Sequence, residues 1–174
     1  MYIKEIELEK FKGFKSVKIP FYKGLTVITG PKGSGKSSIL DSINFICGIS
    51  ENDLFFFNSD SSKMKVKIVF NNSNTIEKIL EKDLSNNIKT LYYLNEQVVS
   101  KEEFSKILKD LNLTIIDNCG SELSKRDCAK YAKDLKAKSK QEQIIVVSYQ
   151  EEILAAADRI LGVIDNDKVI GIKL

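Results

Sequence analysis

The run Gly30-Pro31-Lys32-Gly33-Ser34-Gly35-Lys36-Ser37 constrains this chain more than any other feature. It fits the pattern G-x-x-x-x-G-K-[ST] at every position, and its flanks supply the context that the pattern needs. Gly24 to Thr29 is a short β-branched apolar run that reads as a buried strand. Ser38 to Ile46 carries apolar residues at 39, 40, 43 and 46, the spacing of one helix face. A strand turning through small residues into a helix lets successive backbone N–H groups converge. The helix start adds its own unpaired N–H groups and the positive end of its dipole. Such a cradle suits the closely packed negative charges of a triphosphate. Gly30, Lys32, Gly33, Ser34, Gly35, Lys36, Ser37 and Ser38 are therefore the expected binding residues for ATP or ADP. Lys36 is expected to reach the β- and γ-phosphates, and the Ser37 hydroxyl to bind Mg²⁺. The competing account is a glycine-rich turn that fits the pattern by chance, and both flanks argue against it.

The remaining bulk properties set limits. At 174 residues the chain can bury one proper core, so residues 1–174 are expected to form a single domain. Its 43% hydrophobic and 29% charged content is that of a soluble globular protein. No apolar run reaches about 18 residues, so no membrane span is expected. Met1 to Ile6 is already strand-like and charged, unlike a secretory signal. Cys47, Cys119 and Cys128 are too widely spaced for a zinc site or a disulfide framework. A cytoplasmic location fits these features. The net charge of +3 is too small to argue nucleic-acid binding by itself. With no histidine in the chain, every catalytic role for that residue is excluded.

Alternation marks strands at Tyr2 to Leu8 and Val17 to Phe21, the second an edge because it holds Pro20. Lys65 to Phe70 alternates strictly, with Val66, Ile68 and Phe70 on one face. Asn71 to Asn74 is a hairpin turn, Thr75 to Lys82 the returning strand, and Leu91 to Leu94 the start of another. Asn52 to Ser62 reads as a loop. Ser100, with Glu103 three residues on, caps a helix running to about Leu111, with Phe104, Ile107, Leu108 and Leu111 inward. Leu113 to Asp117 reads as a buried strand ending in a carboxylate, Ser124 to Lys138 as a helix, and Gln143 to Ser148 as a buried strand. Glu151 to about Leu161 reads as a helix, with strands from Gly162 and over Lys168 to Ile172. Antiparallel hairpins come early and parallel β/α units late, the pattern of an α/β sandwich.

The order of these blocks resembles the head of the SMC (structural maintenance of chromosomes) family and its double-strand-break-repair relatives, which are ABC-type ATPases. Ile3 to Lys15 resembles the family's first strand and aromatic turn. Gly30 to Ser37 resembles its loop G-P-N-G-S-G-K-S, with Lys32 in place of asparagine. Asp41 to Gly48, Tyr92 to Phe104, and Gln143 to Tyr149 with Ala157 to Val163 resemble further blocks. The resemblance implies a P-loop NTPase head with an N-terminal antiparallel β subdomain and a parallel β/α core. It also implies a lobe over 1–112 holding Walker A, a lobe over 113–174 holding Walker B, and a role in chromosome organisation or DNA repair. Asp117 is then the second Mg²⁺ residue beside Ser37.

The departures from that pattern bear on chemistry. Asn118 stands where the family has the glutamate that polarises the attacking water, and an amide cannot take a proton at neutral pH. Tyr149 stands where the family has a γ-phosphate-sensing histidine. The signature motif, a Q-loop glutamine and a heptad segment for a coiled coil are not found, and Gln97 lies too early to be the Q-loop residue. Either those parts were all excised between Leu111 and Leu113, or Val99 to Leu111 replaces the signature helix.

Several residues fit two roles. Tyr149 is a sensor or a packing residue, and Asn118 a lost catalytic position or a turn residue. Phe11 and Phe14 stack on adenine or pack in the core or turn. Lys12, Lys15, Lys18 and Lys23 touch DNA phosphates or form a solvated face among Glu5, Glu7 and Glu9. Phe55 to Phe57 is core or a contact patch.

Three functions compete: a nucleotide-binding head poor in hydrolysis, an ATPase completed by another subunit, and an interaction module with a relic site. The first two imply a homo- or heterodimer through the nucleotide face.

Overall fold

The computed structural model describes residues 1–48, 56, 61–83, 85, 87–165 and 168–173. Six strands form an antiparallel sheet: β1 (Ile3–Phe11), β2 (Phe14–Pro20), β4 (Lys63–Phe70), β5 (Thr75–Lys82), β6 (Ile88–Leu94) and β7 (Gln97–Val99). Their order is β2-β1-β4-β5-β6-β7. The second sheet has the order β11-β10-β3-β9-β8, from β3 (Leu25–Thr29), β8 (Leu113–Ile116), β9 (Gln143–Val147), β10 (Arg159–Asp165) and β11 (Lys168–Lys173). Strands β10, β3, β9 and β8 run parallel, while β11 returns antiparallel. Helix α1 (Lys36–Cys47) contributes to the core between the sheets, together with Ile6, Leu8, Val66, Ile68 and Phe70. Helices α3 (Lys125–Lys138) and α4 (Glu151–Ala156) cover the other face of the second sheet through Cys128, Ala132, Leu135 and Ile153. This is the α/β architecture that the alternation of blocks implies.

Local rules account for much of it. Val66, Ile68 and Phe70 are fully buried on one face, and Ser73 takes a positive φ of 66° in the turn that returns the chain into β5. Asn95 and Glu96, with φ of 46° and 67°, form the tight turn between β6 and β7. Helix α2 (Lys101–Lys109) opens with the expected capping box: the Glu103 N–H donates to Ser100 Oγ and the Ser100 N–H to Glu103 Oε2.

Long-range contacts override local pattern elsewhere. The helix expected to run from Glu151 to about Leu161 stops at Ala156, and strand begins at Arg159. Between them the Asp158 N–H donates to Leu25 O at 2.8 Å, and its carboxylate accepts the Leu25 N–H at 2.9 Å, which draws the backbone into the sheet. Strand β8, expected to be buried, is only half-buried because it is the outermost strand of its sheet. Phe11 and Phe14 are core residues. Phe56 stacks on Phe11 with ring centroids 5.5 Å apart, so it too is core, while Phe55 and Phe57 lie outside the described residues, as does most of the loop from Asn52 to Ser62.

Gln143 bolts the two sheets together from a buried position. Its Nε2 donates to Ile3 O and Tyr22 O, and its Oε1 accepts the Ile3 N–H. On the outer face of the antiparallel sheet, charges pair across strands: Lys18 with Glu7, Lys65 with Glu9, and Lys63 with Glu81. Burial pushes the Glu7 carboxyl up, but the bond from Lys18 and the nearby Lys67 and Lys65 outweigh it and hold the group below the usual range. Lys12 pairs with Asp41. At Lys12 and Lys18, therefore, carboxylates already neutralise the ammonium groups. Among the described residues no helix is long and apolar enough to cross a membrane.

Candidate nucleotide-binding site

The strand, loop and helix expected around Gly30 to Ser37 are β3, the loop and α1. Gly30 leaves β3 at a φ of +144°, and a Cβ there would lie 2.1 Å from the Val163 carbonyl oxygen of β10. Glycine is thus required by close backbone approach. Gly35 occupies the N-cap of α1 at a φ of 100°, with no side chain capping the helix. The first N–H groups of α1 are left to an outside acceptor, the arrangement that binds anions. The Ser34 Oγ is buried without a hydrogen-bond partner among the described residues. A buried hydroxyl of this kind is costly unless something supplies the missing bond. Ser37, Lys32 and Gly33 are exposed, Gly35 and Ser38 half-buried. Lys36 is buried, and its Nζ donates to Pro31 O at 2.6 Å. These features fit a phosphate chain with Mg²⁺: N–H donors, one cation, an orphan hydroxyl and an open serine.

Because β3, β9 and β8 are parallel, the segments following them share one edge of the sheet, where such sheets take ligands. Asp117 and Asn118 follow β8 and are both exposed. The Asn118 N–H donates to Asp117 Oδ1 at 2.8 Å, and Asn118 adopts a φ of 49°, a conformation that asparagine tolerates. This makes Asn118 a turn residue in structure. The two loops are stitched together: Cys119 N–H donates to Val147 O, Ser148 Oγ to Cys119 O, and Gln150 Nε2 to Gly120 O. A cavity of about 560 Å³ opens beside the turn, lined in part by Asn118, Ser121, Leu123 and Tyr131. None of its lining residues belongs to the phosphate loop.

Tyr149 is neither a plain packing residue nor remote from the loop. It is 54% exposed, and its ring centroid lies 4.9 Å from Lys36 Nζ. The resemblance places Tyr149 at a γ-phosphate-sensing position, and the pairing of β9 with β3 brings its ring to Lys36. Burial pushes the Cys47 and Cys119 thiols up to about 11, so neither is a thiolate nucleophile at neutral pH. Among the described residues no group of three or more Cys, Asp or Glu gathers as a metal site.

A family model described as the RecF/RecN/SMC N terminal domain matches residues 2–116. The chromosome partition protein Smc of Synechocystis sp. is 29% identical over 151 residues, covering 65% of this chain and 13% of that protein. The chain thus spans about an eighth of that relative's length. An Smc head solved in complex with the C-winged helix domain of ScpA superposes with a TM-score of 0.85 at 18% identity, covering 100% of this chain and 98% of that one. The SMC head domain from Thermotoga maritima does so with a TM-score of 0.77 at 18% identity, covering 100% and 99%.

Proposed function

The chain belongs to the RecF/RecN/SMC N terminal domain family, and we propose that it is a head that binds ATP with Mg²⁺ but does not hydrolyse it unaided. Residues 1–174 act in this reading as one unit, with the phosphate loop in 1–112 and Asp117 in 113–174. The phosphate loop carries the proposal: an uncapped helix start, a buried lysine and an orphan serine hydroxyl converge there. Lys36 and the backbone N–H groups hold the phosphates, and Ser37 and Asp117 the Mg²⁺. Bound there, the ion would neutralise phosphate charge. Asn118 offers no base where a water would need one. The cellular role is chromosome organisation or DNA repair, by analogy with the family. A protein partner is part of the reading, since the fold neighbour was solved bound to ScpA. DNA contact is a weaker element, tested by whether binding falls steeply with salt.

A second reading, an ATPase completed by another subunit, is favoured by the exposure of Asp117 and Asn118 at the open sheet edge. One experiment separates these. ATP–Mg²⁺ is titrated calorimetrically into the chain and into Lys36→Ala, and product is assayed in the same samples. Binding that the variant loses, without product, is the expected result. Product that appears only when a partner is added favours the second reading. No binding in the wild type makes the loop a relic and overturns both.

A further inference from the structure

We infer that Tyr149 is a positioning residue that competes with nucleotide phosphates for the Lys36 ammonium. This rests on reading the loop as a nucleotide site.

Lys36 Nζ has three N–H donors. One is bonded to Pro31 O, and the ring of Tyr149 covers another side at 4.9 Å. The face of an aromatic ring is electronegative, so it attracts the ammonium and repels an anion. A phosphate that approaches Lys36 past that face displaces the ring. Displacement opens no core, because Tyr149 is 54% exposed. The neighbours on both sides are anchored, Ser148 by its N–H on Ile28 O and its Oγ on Cys119 O, and Gln150 by its Nε2 on Gly120 O. The motion is therefore a side-chain swing and not a loop opening. Occupancy of the phosphate loop becomes the position of an exposed aromatic at the sheet edge, next to the turn that holds Asp117.

The test measures ATP–Mg²⁺ affinity for the full chain, Tyr149→Phe and Tyr149→Leu, with melting curves to verify folding. Leucine removes the π face and keeps apolar bulk, so affinity is expected to tighten about threefold to tenfold, the range of a partly exposed cation–π contact. Phenylalanine keeps the face and is expected to follow the wild type. The chain has no tryptophan, so Tyr149→Trp provides a single tryptophan beside Lys36 that can be excited apart from the remaining tyrosines. Its emission is expected to shift with ATP and to stay still with adenosine, which has no phosphates. A leucine variant that binds equally or more weakly overturns the competition while the nucleotide site stands. A wild type that does not bind ATP removes the nucleotide site and the competition together.

Discussion

The phosphate loop and the turn after β8 sit at the same edge of the parallel sheet, yet they are built in opposite ways. The loop is determined by residues far away in sequence: Gly30 presses on Val163, and Lys36 lies under Tyr149. At Asp117 and Asn118 the turn is shaped mainly by its own residues, while Cys119 and Gly120 are tied to the segment after β9. Asp117 Oδ1 accepts the next N–H, Ser121 N–H donates to Asn118 O, and Leu123 N–H donates to Gly120 O. One region is a tertiary construction with a buried cation, and the other a local turn with an exposed carboxylate. Substitutions in the first should therefore alter fold and ligand together. Those in the second should alter ligand alone.

The most severe expected effect is that of Gly30→Ala. The added methyl group meets a backbone carbonyl, which cannot rotate away, at a φ that L side chains rarely adopt. A loss of about 3 kcal/mol or more is expected, a fall in melting temperature of roughly 10 °C for a chain this long, and nucleotide binding should go with it. Gly33→Ala is the control. Gly33 has a φ of +82° but nothing within 4 Å of its Cβ position, so only backbone strain of about 1 kcal/mol is expected. Equal melting temperatures for the two variants would break the contrast.

The same division explains what could be read from the residues alone. The strand, loop and helix around Lys36, the hairpin at Asn71 to Asn74 and the capping box at Ser100 depend on neighbours within a few positions, and all were legible. The end of α4 was not, because Asp158 is recruited by Leu25 across 133 positions. Nor was the half-exposure of β8, since Leu113 to Ile116 has the composition of an inner strand and only sheet order makes it an edge. Gln143 looked like an ordinary strand residue, yet it satisfies Ile3 and Tyr22. At the site, the order of strand, loop and helix was legible from the pattern and the resemblance put Tyr149 at a γ-phosphate-sensing position, while the approach of its ring to Lys36 depends on the pairing of β9 with β3.

Asp117→Ala tests the other side of the contrast. The carboxylate is exposed and bonds only its neighbouring N–H among the described residues. Its removal should change stability by no more than about 0.5 kcal/mol, as at other exposed positions. Affinity for ATP with Mg²⁺ is expected to fall about tenfold, the effect of losing a residue that supports the ion, while affinity for ATP without the metal stays as it was. A large drop in melting temperature would show that the turn supports the fold, contrary to its local construction.

The smallest effect is expected at the opposite end of β3, where the strand leading to the loop is fixed. Burial pushes the Asp158 carboxyl up, but the bonds from Lys136 and from the Leu25 N–H outweigh it, so its folded value lies below the ordinary carboxylate range. A group lowered on folding contributes stability that is fully present above its unfolded value, about 3.9, and is lost as pH falls through the folded value. Asp158→Asn can still accept the Leu25 N–H but loses the charge facing Lys136. Because the pair is substantially exposed and screened, the deficit at pH 7 should be under about 1 kcal/mol, or roughly 2–4 °C. Melting curves of the two proteins should converge as the pH falls through the folded value of Asp158, with ATP affinity at pH 7 nearly equal. The absence of a deficit at any pH would mean that Asp158 acts through its shape at Gly24, where it fills the space a Cβ would take, and the foundation of the loop would then be steric instead of electrostatic.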